Sequence, residues 1–431
     1  IPAKAFKSEE QIPRFTDVAS HLGLDTFDLS GGAIADDFDN DGYLDFFGAA
    51  SGGLGFGSAD GSFTMAELPS KPMEVSEGAA CIDMNGDGLV DIYWGGYEIW
   101  GEVAAYPDVI FTNQGNRAFK LTWTQPQPYL QSRGIAAADY NNDGAGDIYV
   151  SNYRLSPNIL WRNSGDHSGT FTSAAAECGV LGGNGHSVGA AWGDLDNDGL
   201  LDLFAGNFAH GGQPESQFLR NLGPEGAQGY TFENRGPSGV RYQESYADPV
   251  LGDYDNDGDL DLFFTTVYEN DNSALFSNDS SGHFYDVTSE AGLLGSVRPT
   301  HMAAWGDYDN DGDLDLMAGG RLFRNMLGSG QPSNNWIKVK LSSTGRVNRA
   351  AIGTIVRIKL ADRILTRQVE AGAGHNANDL TLHFGLGSYS GDVDLEISWP
   401  WIKKKQTVTA TANSVVTVVC NVGVGPMQEK N

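Results

Sequence analysis

Short apolar runs alternate with stretches rich in Gly, Asn and Asp along most of the chain. Examples are Gly-Ala-Ala-Trp at 189–192 and Asp-Leu-Phe-Phe at 261–264, each next to a segment dense in aspartate. Apolar runs of this length, bounded by turn residues, are typical of short β-strands. An apolar period of about 3.6 residues, which would indicate helices, does not occur. The pattern therefore predicts an all-β protein.

One nine-residue pattern, D-x-[DN]-x-D-G-x-x-D, occurs six times, at intervals of 46 to 59 residues. An apolar run leads into each copy, a second one leaves it, and further strand-like runs follow before the next copy. Repeats of this size with four short strands each predict the blades of a β-propeller. The six copies are Asp37–Asp45, Asp83–Asp91, Asp139–Asp147, Asp194–Asp202, Asp253–Asp261 and Asp307–Asp315.

The two ends of this repeat array complement each other. The last unit stops after a third strand at 321–325, and residues 14–18 resemble an isolated fourth strand. We expect the N-terminal strand to complete the last blade, which closes the ring and removes exposed sheet edges. This arrangement predicts six blades. Seven blades remain an alternative if a diverged blade lies in the spacers or in the C-terminal region.

Each copy of the pattern predicts a calcium site. Carboxylates at positions 1, 3, 5 and 9 and the carbonyl of position 7 can surround one point, and Ca²⁺ prefers such an all-oxygen shell. The glycine at position 6 allows the sharp turn. An EF-hand would need a Glu at position 12 and flanking helices, and neither is found. Magnesium demands tighter octahedral geometry, and zinc prefers His or Cys.

We therefore predict up to six structural Ca²⁺ ions. The two copies with Asn at position 3 carry one negative charge fewer, so they are expected to bind more weakly. The predicted ligands are Asp37, Asp39, Asp41, Tyr43 and Asp45; Asp83, Asn85, Asp87, Leu89 and Asp91; Asp139, Asn141, Asp143, Ala145 and Asp147; Asp194, Asp196, Asp198, Leu200 and Asp202; Asp253, Asp255, Asp257, Asp259 and Asp261; and Asp307, Asp309, Asp311, Asp313 and Asp315.

The charge of the 431-residue chain is unevenly distributed: the total is −29, with −34 in residues 1–330 and +5 in residues 331–431. An acidic protein repels phosphate backbones, so nucleic acid is not expected as a partner. No apolar run approaches the roughly 20 residues that span a membrane. We expect a calcium-binding β-propeller over 1–330 and a second domain over 331–431.

The second region alternates apolar and polar residues, as at 337–341 and 393–397. This alternation predicts a small antiparallel β-sandwich-like domain. Because the region is basic, we expect it to dock on the acidic ring. Three cysteines, Cys81, Cys178 and Cys420, allow at most one disulfide, and three buried thiols are the favoured interpretation.

These motifs resemble two known families. The repeat units are similar to the FG-GAP/VCBS-type calcium-binding propeller repeats of integrin α-subunit heads and some fungal lectins. Residues 335–341, 348–353, 383–387 and 397–400 resemble the ASPIC/UnbV module of the cartilage acidic protein family. The resemblance covers nearly the whole chain. It implies a secreted, calcium-loaded scaffold of matrix or adhesion settings, with its signal peptide removed.

The start of each first strand is expected to reach one mouth of the central channel. At this position the repeats diverge, and five polar side chains are predicted to converge there, either to hold a ligand or to perform acid–base chemistry. An ordinary hydrated channel is the plain alternative. The five candidates are Glu77, Arg133, His186, Tyr246 and His301.

Two functions are compatible with this organisation. The first is a secreted, calcium-stabilised propeller that serves as a binding or adhesion scaffold for protein or glycan ligands. The alternative is a cofactor-free isomerase, lyase or cyclase with its active site at the channel mouth. The expected partner is a protein, a glycan or a small molecule, and the chain is expected to be a monomer.

Overall fold

The computed structural model describes residues 32–102, 104–225, 229–326, 334–370, 378–402 and 405–421. Nearly all regular structure in these residues is β-strand, and the fold is all-β and propeller-like, as the sequence predicts. The predicted N-terminal strand at 14–18 lies outside the described residues. Closure of the ring and the choice between six and seven blades therefore stay predictions.

Six antiparallel sheets follow one another within the described part of residues 33–323. The first five have four strands in chain order, and the sixth has three. Their strands are β1 (Ala33–Asp36), β2 (Asp45–Gly48), β3 (Gly53–Gly57) and β4 (Phe63–Glu67); β5 (Ala79–Ile82), β6 (Asp91–Trp94), β7 (Val109–Asn113) and β8 (Phe119–Thr124); β9 (Ser132–Ala138), β10 (Asp147–Asn152), β11 (Ile159–Asn163) and β12 (Phe171–Ser173); β13 (His186–Gly193), β14 (Asp202–Phe208), β15 (Gln217–Asn221) and β16 (Phe232–Asn234); β17 (Tyr246–Gly252), β18 (Asp261–Thr266), β19 (Ala274–Asn278) and β20 (Phe284–Asp286); and β21 (Ala303–Gly306), β22 (Asp315–Ala318) and β23 (Arg321–Phe323).

Each aspartate-rich loop joins the first and second strands of a sheet. The first strands of neighbouring sheets contact one another, so their side chains must be small. A Cβ atom on Gly189 would lie 1.7 Å from Oδ1 of Asp248, and one on Gly134 would lie 2.4 Å from the carbonyl oxygen of Val188. This contact explains the Gly- and Ala-rich runs that lead into the loops.

Large side chains on the second and later strands fill the space between sheets. Phe204 of β14 packs edge-on against Phe264 and Phe284 of the next sheet, with ring centroids 5.7 and 5.8 Å apart. Trp94 of β6 donates its indole N–H to the carbonyl of Ala49 in the preceding sheet at 2.7 Å. Neighbouring sheets therefore share one apolar core instead of folding separately.

An asparagine at or just after the end of the third strand, buried in four sheets and half-buried in the sixth, ties each later sheet to its predecessor. Its backbone N–H donates to the position-9 aspartate of its own loop at 2.7–3.0 Å. Its side-chain amide donates to the position-2 carbonyl of the preceding loop at 2.7–3.0 Å. We call this arrangement the asparagine clasp; its members are Asn113, Asn163, Asn221, Asn278 and Asn325.

The C-terminal strands form two further sheets around a common core that includes Val339, Phe384 and Leu395. Strand β30 pairs with β24 in parallel, which corrects the expectation of purely antiparallel pairing. Strand β30 follows β29, which belongs to the second of these sheets. The chain therefore crosses between the sheets before β30 pairs with β24, and no hairpin joins β30 to β24. We call this region the cap; its strands are β24 (Asn335–Ser343), β25 (Ile355–Lys359), β26 (Ile364–Gln368), β27 (Leu382–Gly387), β28 (Asp392–Ser398), β29 (Lys405–Thr411) and β30 (Ser414–Cys420).

Helical structure in the described residues is limited to short segments. They are α1 (Ala175–Cys178) and the 3₁₀ turns Gly182–Asn184 and Gly223–Glu225. No described helix has the length and apolar composition that a membrane span requires. Cys81, Cys178 and Cys420 are all buried free thiols.

The asparagine clasp predicts that Asn221→Ala destabilises the fold. The substitution leaves the carbonyl groups of Tyr140 and Leu201 without their amide donor in a buried site, and each such loss costs about 1–3 kcal/mol. We expect the free energy of unfolding to fall by at least about 2 kcal/mol in urea denaturation. The matched control is Asn234→Ala on an exposed position of β16. Equal effects of the two substitutions would contradict the clasp.

Candidate metal centres and the surface that covers them

The six aspartate-rich loops, all within the described chain, share one backbone conformation. The position-6 glycines have φ between 85° and 101°, which favours glycine. Position 4 also lies in the left-handed region, a requirement that was not predicted from the nine-residue pattern. The recurrence of Asn there is the signal that could have revealed it, since Asn tolerates this conformation well. The position-4 residues are Asn40, Gly86, Asn142, Asn197, Asn256 and Asn310.

Backbone N–H groups hold the carboxylates around the centre of each loop. The position-1 aspartate accepts a hydrogen bond from the position-6 glycine at 2.8–3.1 Å in every copy. The position-5 aspartate accepts one from the N–H of the residue at position 7. The backbone of each position-7 residue therefore lies next to the loop carboxylates. These residues are Tyr43, Leu89, Ala145, Leu200, Asp259 and Asp313.

In four loops, three carboxylates each place an oxygen atom within 4.8 Å of the other two. Oδ1 of Asp196 and Oδ1 of Asp253 are buried without a hydrogen-bond partner among the described residues. An all-oxygen donor set with unpartnered carboxylate oxygens suits a hard divalent cation such as Ca²⁺. The four sets are Asp37, Asp39 and Asp41; Asp194, Asp196 and Asp202; Asp253, Asp255 and Asp261; and Asp307, Asp309 and Asp311.

The other two loops replace the position-3 carboxylate by an amide. Asn85 donates to Asp87 at 3.1 Å, and Asn141 donates to Asp143 at 3.0 Å. A hydrogen bond thus takes the place of a repulsion between two carboxylates. These loops offer a cation fewer charges, in line with the weaker binding that the sequence predicts.

Burial makes the ring of carboxylates electrostatically unfavourable. Desolvation, with repulsion from Asp198 as a smaller cause, raises the pKa of Asp194 to about 8. Desolvation also raises the pKa of Asp253 to about 7, although nearby Arg367 opposes the shift. A bound divalent cation supplies the positive charge that the ionised forms lack.

Arginines of the propeller-like sheets themselves lie beside three of the loops, a feature that the sequence pattern did not predict. Arg220 forms ion pairs with Asp196 and with Asp198, the latter at 2.8 Å. Arg324 pairs with Asp309 at 2.7 Å, in the equivalent place. Both arginines directly precede a clasp asparagine, so a recurring Arg-Asn pair was the available signal. Arg117 does the same for Asp39 from another position, at 2.6 Å.

The cap lies over the face of the sheets that carries the loops. Its basic residues contact the acidic loops, as the charge distribution predicts. Each loop has at least one hydrogen bond with the cap, made by these pairs: Arg349 with Asn40 at 2.8 Å, Trp401 with Asp83 at 3.0 Å and with Gly144 at 2.9 Å, Ile364 with Asn197 at 3.0 Å, Arg363 with Asp259 at 3.0 Å and Lys338 with Asp307 at 2.8 Å.

The contact of Lys338 with Asp307 is a buried ion pair. The side chains are 5% and 1% exposed, and Nζ lies 2.8 Å from Oδ2. Arg367, which is also buried, donates to the carbonyl of Gly258 at 3.2 Å. Burial lowers the pKa of His383, and its neutral ring bonds to Asn256 at 2.6 Å. The cap therefore places two cations and a neutral imidazole against the fifth and sixth loops.

The structure groups some of the channel-mouth candidates and separates others. Arg133 and His186 both contact Tyr153, at 5.0 and 4.6 Å. Glu77 is close enough to Tyr97 to influence its pKa. His301 is half-buried just before β21.

Tyr246 lies apart from these residues. It is 2% exposed and stacks on Phe264, with ring centroids 4.3 Å apart, inside the apolar layer between the fourth and fifth sheets. Its ring therefore serves the core of the sheets.

Two known protein families match parts of this chain. The FG-GAP-like repeat family matches residues 83–150, 143–205 and 230–318, and the ASPIC and UnbV family matches residues 344–423. The PorZ surface component of the type-IX secretion system of Porphyromonas gingivalis is 13% identical, with 89% of this chain and 51% of that chain covered and a TM-score of 0.41.

Curated relatives include cartilage acidic protein 1 of Homo sapiens, 26% identical over 364 residues, which are 79% of this chain and 53% of that protein. The protein of the same name from Xenopus tropicalis is 28% identical over 345 residues, 74% of this chain and 51% of that protein. The chain spans about half the length of the curated relatives that it matches. The chain thus combines FG-GAP-like repeats with an ASPIC and UnbV module, and these are the two families that its loop motifs and its C-terminal motifs resemble.

Proposed function

We propose that the protein is a secreted, calcium-stabilised β-propeller that acts as a binding or adhesion scaffold for protein or glycan ligands. Residues 1–330 form the calcium-binding propeller in this proposal, and residues 331–431 form the ASPIC/UnbV-like domain. Up to six Ca²⁺ ions occupy the loops. The observation that carries the proposal is the contact of the cap with every loop, which makes the loops internal structural sites.

The position of the cap decides which surface is available to a ligand. Lys338, Arg363 and Trp401 cover parts of the sixth, fifth and second loops. A ligand that needed direct contact with the ions would have to displace these side chains. The ends of the sheets opposite the loops have no such cover in the described structure. The ions therefore hold the scaffold together, and the opposite end of the sheets is the surface for binding.

Cartilage acidic protein 1 supports this proposal only by similarity, since its relationship to the chain covers about half its length. The test is direct binding. The immobilised protein is probed with arrays of extracellular proteins and glycans, once with excess Ca²⁺ and once with a chelator. Specific binding in Ca²⁺ that the chelator abolishes is the expected result. An absence of specific binding to both arrays in Ca²⁺ would contradict the scaffold function.

Calcium removal is predicted to lower the melting temperature. A site held at a ligand concentration of 100 times its Kd adds about 2.7 kcal/mol to the free energy of unfolding. We expect calorimetry to show a large loss in chelator that added Ca²⁺ reverses. Asp196→Asn is expected to reduce this calcium-dependent gain, because it removes one carboxylate of the fourth loop. The control Asp60→Asn, in an exposed turn, leaves the gain unchanged.

An unchanged melting temperature after chelation would contradict structural calcium. Equal effects of Asp196→Asn and Asp60→Asn would show that the fourth loop is not a calcium site, while calcium binding by the other loops would still be possible. Isothermal titration with Ca²⁺ counts the ions directly. A total above six would contradict the proposed upper limit, and a smaller total gives the number of loops that bind an ion.

The buried ion pair between cap and sixth loop predicts a second stability effect. Lys338→Met leaves the carboxylate of Asp307 buried without its ammonium partner, and breaking such a pair costs about 3–5 kcal/mol. Lys340→Met, at an exposed position two residues further along β24, is the matched control. Urea denaturation measures both variants in the presence of Ca²⁺. A loss below about 1 kcal/mol for Lys338→Met would show that the cap does not depend on this pair.

A further inference from the structure

A row of aromatic rings lies at the end of the sheets opposite the loops. First strands begin at this end and second strands finish there, as the pairing of His186 with Phe208 shows. Four successive sheets each place an aromatic side chain at or just after the end of the second strand. These side chains are Tyr97, Tyr153, Phe208 and Tyr268.

Cationic and imidazole side chains join these rings into one continuous row. The guanidinium carbon of Arg133 lies 5.9 Å from the ring centre of Tyr97 and 5.0 Å from that of Tyr153. Tyr153 contacts His186 at 4.6 Å, and His186 contacts His210 at 5.8 Å. Planar groups in edge or stacked contact at these distances attract one another.

The row continues over the next two sheets. His210 contacts Phe208 at 5.2 Å, and Phe208 contacts Tyr268 at 5.3 Å. His210 also bonds through Nδ1 to Glu244 at 2.8 Å. We call the residues from Tyr97 to Tyr268 in this row the aromatic rim. The rim therefore spans the second to fifth sheets and carries hydrogen-bonding groups along its length.

Arg133 is held in place but has no polar partner in the described residues. Two tyrosine rings flank its guanidinium, and its Nε is buried without a hydrogen bond. Neighbouring Arg154, in contrast, is paired with Glu98 at 2.8 and 3.1 Å. A guanidinium held by its faces keeps its edge N–H groups in a fork that matches a carboxylate. Arg133 therefore makes no ion pair with a described residue, and its edge N–H groups can bind a carboxylate.

His186 is a second buried group without a partner. It is 8% exposed, and its Nδ1 has no hydrogen bond within the described part of the chain. Burial, with the charges of His210 and Arg154 as smaller causes, lowers its pKa, so the ring is neutral at pH 7. A neutral imidazole has one donor and one acceptor nitrogen, which suits a hydroxyl group. Buried polar groups of this kind usually have a partner.

A cavity of about 420 Å³ adjoins this end of the sheets, lined by Glu98, Trp100 and Arg154 among others. Trp100 is 69% exposed, so its ring is free to cover the apolar face of a ligand. Cavities lined by aromatic groups with a few convergent polar ones are suited to small ligands. The rim and this cavity are adjacent, because Arg154, which lines the cavity, stacks on Tyr153 of the rim at 5.4 Å.

We propose that the aromatic rim binds a saccharide that carries a carboxylate, with the carboxylate on Arg133 and a ring hydroxyl on His186. This inference rests on the proposed scaffold function and names a ligand class for it. The carboxylate matches the unpaired guanidinium, the hydroxyl groups match the neutral imidazole, and the C–H faces of the sugar match the rings. A peptide C-terminus offers the carboxylate but lacks the hydroxyl groups.

The test uses the calcium-loaded full chain and two probes that differ only at the carboxylate. Isothermal titration compares methyl β-D-glucuronide with methyl β-D-glucoside. We expect the glucuronide to bind at least about tenfold more tightly, because a hydrogen-bonded charge pair is worth about that factor. Arg133→Gln is expected to remove the difference. Arg133→Lys keeps the charge but loses the fork, so it is expected to retain only part of it.

Two further variants separate the groups. His186→Ala is expected to weaken both glycosides by the same factor, since both carry the ring hydroxyls. Arg235→Gln is the matched control, because this arginine pairs with Glu233 on the outer strand of the fourth sheet. It is expected to leave both affinities unchanged. The melting temperature of each variant in Ca²⁺ checks that it is folded.

Three results would overturn the inference. These are equal affinities of the native protein for the two glycosides, retention of the glucuronide preference in Arg133→Gln, and binding of glycylglycine without binding of the glucuronide. Each of these results leaves the scaffold function intact if the arrays still show calcium-dependent binding. Failure of the arrays with the glucuronide preference preserved would instead contradict the scaffold and keep the site.

Discussion

The burial of closely spaced carboxylates is the constraint on which the rest of the structure depends. Each loop gathers aspartates into a small volume, and desolvation raises their pKa values well above the ordinary range, to about 8 for Asp194. Three kinds of positive group meet this charge: backbone N–H groups inside the loop, arginines such as Arg220, and cap residues such as Lys338. Proposed Ca²⁺ ions complete the compensation. The fold is organised around the neutralisation of one face.

The same aspartates also connect neighbouring sheets through hydrogen bonds. Asp202 accepts the backbone N–H of Asn221, whose side chain reaches the carbonyl of Tyr140 in the preceding sheet. A change at the fourth loop therefore alters a contact with the third loop. Position-4 asparagines add a second link: Asn256 donates to the carbonyl of Gly312, in the following loop. Loops, sheets and cap form one connected polar network on this face.

Sequence alone predicted the repeats, the strands and the aspartate loops, because a nine-residue motif repeats at fixed positions. It also predicted the docking of the basic cap, because the net charge of each region follows from its composition without knowledge of the fold. The parallel pairing of β30 was missed, because alternation gives a strand but not its direction. The aromatic rim was missed for another reason: Tyr97 and Tyr153 recur at one repeat position, but Arg133 and His186 join them only through strand register. Tyr246 was expected at the channel mouth but packs in the core, because neighbouring positions along a strand point to opposite faces of the sheet.

One sheet lacks the clasp that the others have. In the first sheet the equivalent position is Gly57, whose N–H donates to Asp45 at 2.8 Å but which has no side chain to reach another loop. An asparagine clasp thus joins each of the five pairs of consecutive sheets, and the first sheet contributes no asparagine of its own. In the described residues the first sheet therefore takes part in one clasp only, through the carbonyl of Phe38, whereas each sheet from the second to the fifth takes part in two. A load that separates the first sheet from its neighbour thus opposes one clasp, and a load that pulls out an inner sheet opposes two.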